Sequence, residues 1–505
     1  MLRLVSFLVF ASILIAFAMN CSDDVSGTTD VRFPHGDGGS ADAGEGETDA
    51  GLSDAGTGDA GRTDGGPGDA GSVDAGETDA RQPEDTCDAG AADCGGGADT
   101  GDDSGQSGCG GAQATISGTT YAPSGIDPIP RVLVYVTADT TTFSPPPATV
   151  SCYACAKPTK ALATAVSGAD GTFTLSGPAL DAGGSFTFVM DTGSFRHVVR
   201  HVTVAPCTPL SLTSAQTRFP GSSSGDDVAP RIMVASDPSG KADVNDKLVR
   251  VLDSIGVKYD TVLPDRNGKA ASGDLFAFLA DPAKLAGYDI IAIPCGVLGV
   301  FTVGSTLPSA SFANLQAWLK SGGRLYASDL AYEVIAKTAT AGFTWAPGPA
   351  PHAGDDPADS GVGLDKLNPP VTSINGTVVD ADLLAWLQAI RVVTAPATTI
   401  PIVELRDQWG AIDAVSTQTD ARGKPLGVTF VTGNVSWYTG TTIGPSAAHP
   451  LTAQFDVVND NGQRCGRAAF TSYHMQSTGS GGTLSPQERV LEYLLFQLSR
   501  CVNSD

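Results

Sequence analysis

Positive charge is scarce in this chain. Thirty Lys and Arg stand against 55 Asp and Glu, a formal net charge of −25 over 505 residues. No basic stripe is present, and without one the phosphate backbone of a nucleic acid has nothing to dock on. No nucleic-acid partner is expected. Past the first twenty residues, no apolar run approaches the roughly 20 residues that span a bilayer, so no internal transmembrane helix is expected. Large apolar side chains are almost absent from Ser22 to Gly111. Such a segment cannot offset its ordering entropy and is expected to stay disordered.

That segment also holds most of the net negative charge, with 22 acidic and 3 basic residues. Acidity therefore describes a tether rather than a binding face. Asp-Ala-Gly recurs from Asp49-Ala50-Gly51 to Asp74-Ala75-Gly76, and like charges extend such a chain further. Calcium-binding repeats interleave apolar residues that build a β-helix core; these repeats do not. Residues 22–111 read as a solvated acidic linker. Its distal cysteines, Cys87, Cys94 and Cys109, can pair with each other or with a partner.

Residues 1–21 read as an export signal. Arg3 supplies the positive start, and Leu4 to Phe17 is apolar, as a signal core requires. Ala16-Phe17-Ala18-Met19-Asn20-Cys21 resembles a lipoprotein signal with Cys21 as the lipidated residue, although Asn20 replaces the usual small residue. Ordinary cleavage to a soluble product is the alternative. The expected location is the outer membrane or cell surface as a lipoprotein, otherwise the periplasm or exterior, with the membrane engaged through a lipid anchor. Export implies an oxidising compartment, where disulfides form.

From Ala112 to Pro220 short apolar runs alternate with turn signals. Thr115–Tyr121, Arg131–Val136, Ala163–Val166, Thr172–Leu175, Ser185–Met190 and His197–Val204 read as strands, which together predict a β-sandwich. The opening Ile-Ser-Gly-Thr and the later Ala-Asp-Gly-Thr-Phe resemble the carboxypeptidase regulatory-like, transthyretin-like sandwich. The resemblance implies a structural, folding or adhesive role. Cys152-Tyr153-Ala154-Cys155 lies in a Pro-rich loop without the further ligands zinc needs, and without the helix start of a redox motif. A structural disulfide is expected, within the loop or to Cys207. His197 and His201 are about 13 Å apart on one strand at ~3.3 Å per residue, too far to share an ion.

From Val228 to Asp505 strands alternate with helical patterns, which predicts a parallel sheet with helices on both faces. Arg231–Ala235, the strand from Val257 to Asp260 and Tyr288–Ile293 are early strands. Gly322-Gly323 stops a helix, and Arg324-Leu325-Tyr326-Ala327-Ser328-Asp329 is a buried strand running into a sharp turn. Arg467 to His474 is the last strand. Ser485-Pro486-Gln487-Glu488 opens the final helix with an N-cap Ser, Pro at the first position and a capping-box Glu. Cys465 and Cys501 flank this last strand and helix, and a disulfide between them is expected.

Asp-Ile-Ile-Ala-Ile-Pro-Cys-Gly, Gly-Gly-Arg-Leu-Tyr-Ala-Ser-Asp and the late Phe-Thr-Ser-Tyr-His resemble the class I glutamine amidotransferase-like, flavodoxin-like fold, including its trehalose-utilisation relatives. The resemblance implies a Cys at the elbow after the strand and a His-x-Glu after the last strand. Here the elbow holds Ser328-Asp329, the His is His474, and Gln476 replaces the Glu. The fold expectation is a multidomain chain: a transthyretin-like β-sandwich (112–220), then a three-layer flavodoxin-like α/β domain with a mostly parallel sheet (228–505).

Ser328 and His474 form a candidate nucleophile–base pair with Asp329 orienting the base; alternatively Ser328-Asp329 only cap the following helix. Cys295 follows a different strand and reads as buried or disulfide-bonded. His352, Asp355, Asp356, Asp359 and Asp365 lack the spacing of a calcium loop. No cofactor and no metal are expected. The functional expectation is an exported, lipid-anchored envelope protein that binds or builds, the alternative a hydrolase using Ser328 and His474.

Overall fold

The computed structural model describes residue 109 and residues 112–152, 158–236, 246–262, 274–295, 309–345, 373–403, 411–435, 438–439, 442–443, 446–475 and 483–501. All belong to one contact unit. The signal segment with Cys21, Cys155, Gln476 and the Asp-rich stretch 352–365 lie outside the described residues. Among those described, no helix is long and apolar enough to cross a membrane.

The protein is built from several sheets of mixed strands with helices among them. Two small sheets form the first region. One joins β1 (Thr115–Thr119), β4 (Thr172–Ser176) and β7 (Leu210–Ser211). The other joins β2 (Leu133–Ala138), β3 (Ala163–Val166), β5 (Gly184–Asp191) and β6 (Arg196–Val204), with a short helix α1 (Pro178–Asp181) between β4 and β5. Ile116, Val134, Val136, Phe173, Leu175, Phe186 and Phe188 are buried, as alternate residues facing a shared core should be. Phe173 stacks on Phe188, centroids 5.4 Å apart. His197 and His201 do not meet: each pairs with its own carboxylate, Asp227 at 3.0 Å and Asp139 at 3.2 Å.

The second region is organised on a nine-stranded sheet. β8 (Ile232–Ala235), β9 (Asp260–Val262), β10 (Ile290–Ile293), β11 (Arg324–Ser328) and β20 (Arg464–Thr471) are parallel, in the spatial order β9-β8-β10-β11-β20. Helices α2 (Leu248–Ile255), α3 (Asp274–Leu279), α4 (Pro282–Ala286), α5 (Ser309–Lys320) and α6 (Tyr332–Thr338) fall between them in sequence. The sheet continues antiparallel through β19 (Ala447–Val458), β16 (Gly427–Val435), β13 (Ser373–Val378) and β14 (Thr399–Val403). Two-stranded pairs, β12 (Phe343–Trp345) with β15 (Ile412–Val415) and β17 (Tyr438–Thr439) with β18 (Thr442–Ile443), stand apart; α7 (Ala381–Ala389) and α8 (Pro486–Leu498) complete the set.

The expected mostly parallel sheet is thus parallel over only one half. The cause is local: β19 and β20 are joined by a tight Asn459–Gln463 turn, a link only antiparallel neighbours can make. On the parallel half, alternate residues divide between two cores. Tyr326 and Ala292 pack with α2 and α8, and Leu325, Ala327, Ile291 and Ile293 with α5 and α6. Strands buried on both faces read as continuous apolar runs, which is why they were visible in the sequence.

Gly322-Gly323 is required by close approach. A Cβ at Gly322, where φ is +117°, would lie 2.2 Å from the Ser151 carbonyl oxygen, and one at Gly323 2.3 Å from the Trp318 indole. The next residue, Arg324, is 1% exposed and donates to the carbonyls of Leu498 at 2.9 Å and Cys465 at 2.6 Å. A cation at the carboxyl end of α8 is favourable.

The two small sheets of the first region are docked onto α7 and α8. Trp386 Nε1 donates to Pro128 O at 2.7 Å, Ser194 Oγ to Ser499 O at 2.9 Å, and Phe195 and Phe496 lie 5.6 Å apart. The cysteine pairings differ from expectation. Cys152 is bonded to Cys465, and Cys207 to Cys109. The loop carrying Cys152 runs under the parallel strands, where Val150 N–H donates to Ala286 O. That places Cys152 beside the start of β20 and away from Cys207, so the Cys465–Cys501 staple does not form. Cys295 and Cys501 are also disulfide-bonded.

Candidate functional site

The parallel strands β8, β10, β11 and β20 all end at one edge, the edge where open α/β sheets place their ligand sites. Five residues from four segments meet there. Ser328 ends β11 in extended geometry, φ −134° and ψ 146°. Asp329 follows with φ +40°, a left-handed backbone, before the one-turn 3₁₀ segment Asp329–Ala331 and α6. A non-glycine residue in that region is uncommon, with Asp among the better tolerated. Cys295 lies just beyond β10, Asp246 just before α2, and His474 just beyond β20.

Ser328 does not cap the helix after it. Its Oγ donates to Asp246 Oδ2 and accepts from the Cys295 backbone N–H at 3.0 Å. Asp246 Oδ1 in turn accepts from Met475 N–H at 3.2 Å. The ring of His474 faces Asp329 instead, Nε2 to Oδ2 at 2.8 Å. The hydroxyl proton of Ser328 is therefore directed at a carboxylate, and the residue paired with the histidine is Asp329. The expected contact of Asp329 with His474 is present, and the expected Ser328–His474 pair is replaced by Ser328 with Asp246. Asp246 comes from the lead-in to α2, and nothing in its local sequence marks it as a neighbour of β11.

The site is closed. Ser328 and Asp329 are 0% exposed, and Asp246 and His474 no more than 5%. Burial, partly offset by the Ser328 hydrogen bond, pushes the Asp246 carboxyl up to about 6. Burial likewise raises the Tyr326 phenol, which shares a 2.8 Å hydrogen bond with Thr471. Tyr473 is core: its hydroxyl meets Thr452 Oγ1 at 2.7 Å. Gln487, on the first turn of α8, was not singled out from the sequence. Its Nε2 donates to His474 O at 2.6 Å and its Oε1 accepts from Val403 N–H at 2.8 Å, fixing the strand end that carries the histidine.

Ligand atoms of Cys295, Asp329 and His474 lie within 4.8 Å of one another, and Cys295 Sγ is 3.4 Å from Asp329 Oδ2. A disulfide sulfur is neither a thiolate ligand nor a thiol donor. The oxidised chain therefore offers an ion two of these three ligands.

A mixed α/β sheet with a buried Asp246–Ser328 and Asp329–His474 network at its parallel edge defines the class. No family model matches the chain, and no curated protein matches it. Among solved structures it is similar to the cytoplasmic protein STM3548 of Salmonella typhimurium, at 14% identity and TM-score 0.28 over 54% of this chain and all of that one. It is similar to the cytoplasmic protein STM1381 of Salmonella typhimurium LT2, at 12% identity and TM-score 0.25 over 50% of this chain and 84% of that one. A third likeness is to Gan42B, a GH42 beta-galactosidase, at 9% identity and TM-score 0.22 over 56% of this chain and 31% of that one. Likenesses this distant assign no activity.

Proposed function

We propose that this chain is an exported, lipid-anchored envelope protein. In this reading an acidic tether carries a carboxypeptidase regulatory-like sandwich and a flavodoxin-like, amidotransferase-like domain that binds or builds rather than catalyses. The spatial order of the five parallel strands, second-first-third-fourth-fifth in chain order, supports the flavodoxin-like assignment. The single observation that carries the non-catalytic reading is the sealed turn. Where a nucleophile would stand, the Ser328 hydroxyl is tied to Asp246, and Asp329 lies between His474 and a disulfide sulfur. A serine nucleophile needs an open face toward substrate as well as a base at its proton; here the hydroxyl meets a carboxylate but is fully buried.

Two measurements test this. Fractionation of cells producing the full chain is expected to place it with membranes, and Cys21→Ser is expected to release it; equal partition of both would remove the anchor. A fluorophosphonate probe is expected to leave the purified protein unlabelled. Labelling lost in Ser328→Ala would replace this reading with the serine hydrolase.

One observation favours a second reading. Asp329, the left-handed residue of the turn, is paired with a histidine, and strained backbone gathers at active sites. A hydrolase on this site would use Asp329 with His474, and ester turnover abolished by Asp329→Asn would establish it.

A further inference from the structure

The seam between the sandwich and α8 holds a carboxyl group that the candidate site does not use. Glu492 lies on α8 with its side chain fully buried, and its Oε2 accepts from Arg489 at 2.7 Å. The same Arg489 nitrogen donates to Asp127 Oδ2 at 2.6 Å, from the sandwich loop between β1 and β2. Glu492 Oε1 is buried with no hydrogen-bond partner. One guanidinium thus serves two carboxyl groups. With Glu492 neutral the two remaining charges, on Arg489 and Asp127, cancel. With Glu492 ionised a net negative charge remains where water does not reach, a costly arrangement.

Burial, then the Asp127 charge, push the Glu492 carboxyl up to about 8 against the opposing pull of Arg489. The neighbouring charges have their own partners. Toward the amino end of α8, Arg250 of α2 is bonded to Glu488. Toward the carboxyl end, Arg500 donates to Pro130 O at 2.5 Å, and Arg131 pairs with Asp382 at 2.7 Å on the rim. Asp380 of the α7 N-cap, raised by burial, donates nothing to this cluster and accepts from Leu383 N–H.

The same helix reaches the candidate site. Gln487 is on its first turn and holds the carbonyl of His474. We propose that the proton on Glu492 is a latch: protonated, it seats α8 against the sandwich, and its loss opens that seam and loosens the Gln487–His474 tie. The latch is independent of whether the site binds or catalyses.

The sign follows from linkage. A carboxyl whose folded value, about 8, lies above its ordinary value of 4.5 favours folding fully below the lower value. That contribution is lost as pH rises through the higher one. The test is hydrogen exchange on the intact, non-reduced full chain at pH 7 and pH 9, corrected for intrinsic exchange. Amides of α8 and of residues 126–130 are expected to open about tenfold more in the wild type at the higher pH, and Glu492→Gln to show no rise. An equal rise in Glu492→Gln, or a rise spread evenly over β10 and β11, overturns the latch. Should Glu492→Gln fold poorly, Asp127→Asn serves instead. Removing the like charge is expected to move the opening transition to lower pH, and an unmoved transition overturns the proposal.

Discussion

Asp329 concentrates three constraints in one residue: a left-handed backbone, complete burial and a histidine partner. Each can be separated by substitution. Asp329→Asn keeps a side chain that tolerates φ > 0, whereas Asp329→Ala does not, so Ala is expected to be the less stable by about 1 kcal/mol. His474→Ala leaves a buried carboxylate without its ring partner and is expected to cost about 3 kcal/mol. Urea unfolding midpoints of the three variants check this; equal midpoints would mean that the pair is held by its surroundings alone. At this scale the sequence was informative about position and about the Asp329–His474 contact, and silent about the partner of Ser328. Ser328, Asp329 and His474 are recognisable because strand ends follow from apolar runs. Which of them touch depends on the sheet's strand order and on Asp246, which reaches β11 from 82 residues upstream.

Among the elements, α8 repays the closest reading. Its Ser485-Pro486-Gln487-Glu488 start forms the reciprocal capping box, as local sequence alone foretold, because capping is a contact between residues three apart. The box also aligns Gln487 with His474 and Val403. Ser485→Ala is therefore expected to cost about 1 kcal/mol and to raise exchange at Val403 and Met475 as well as in α8. A loss confined to α8 would mean that the helix start and the site are uncoupled. The late strands were harder to read. β16 runs unbroken from Gly427 to Val435 through the pair Gly433-Asn434. Gly433 and Asn434 resemble a turn, but β16 lies between β13 and β19, and a Cβ at Gly433 would come within 2.5 Å of Ile374. Packing, invisible locally, selected the glycine.

For the whole molecule, many individual strands and helices were legible from periodicity, and the docking of distant segments was not. Docking rests on pairs hundreds of residues apart, such as Cys152–Cys465, separated by 313 positions. Closing so long a loop restrains the unfolded chain strongly, and removing such a bond typically costs about 2–4 kcal/mol. The double variant Cys152→Ser, Cys465→Ser is expected to unfold at lower denaturant by that amount. Peptide mapping without reduction is expected to find Cys152 linked to Cys465 and Cys109 linked to Cys207. Recovery of a Cys465–Cys501 peptide would contradict the arrangement of the seam.

The Cys109–Cys207 bond has a mechanical consequence. A pull on the chain upstream of residue 109 would pass through the sulfurs to residue 207 and onward. Strands β1 to β6, spanning residues 115–204, then hang in a closed ring beside the line of force. Tension would load the β1–β7 pairing and pass on to the α/β region, while the closed ring itself could not be drawn out, so the first region behaves as a sealed link and not as a spring.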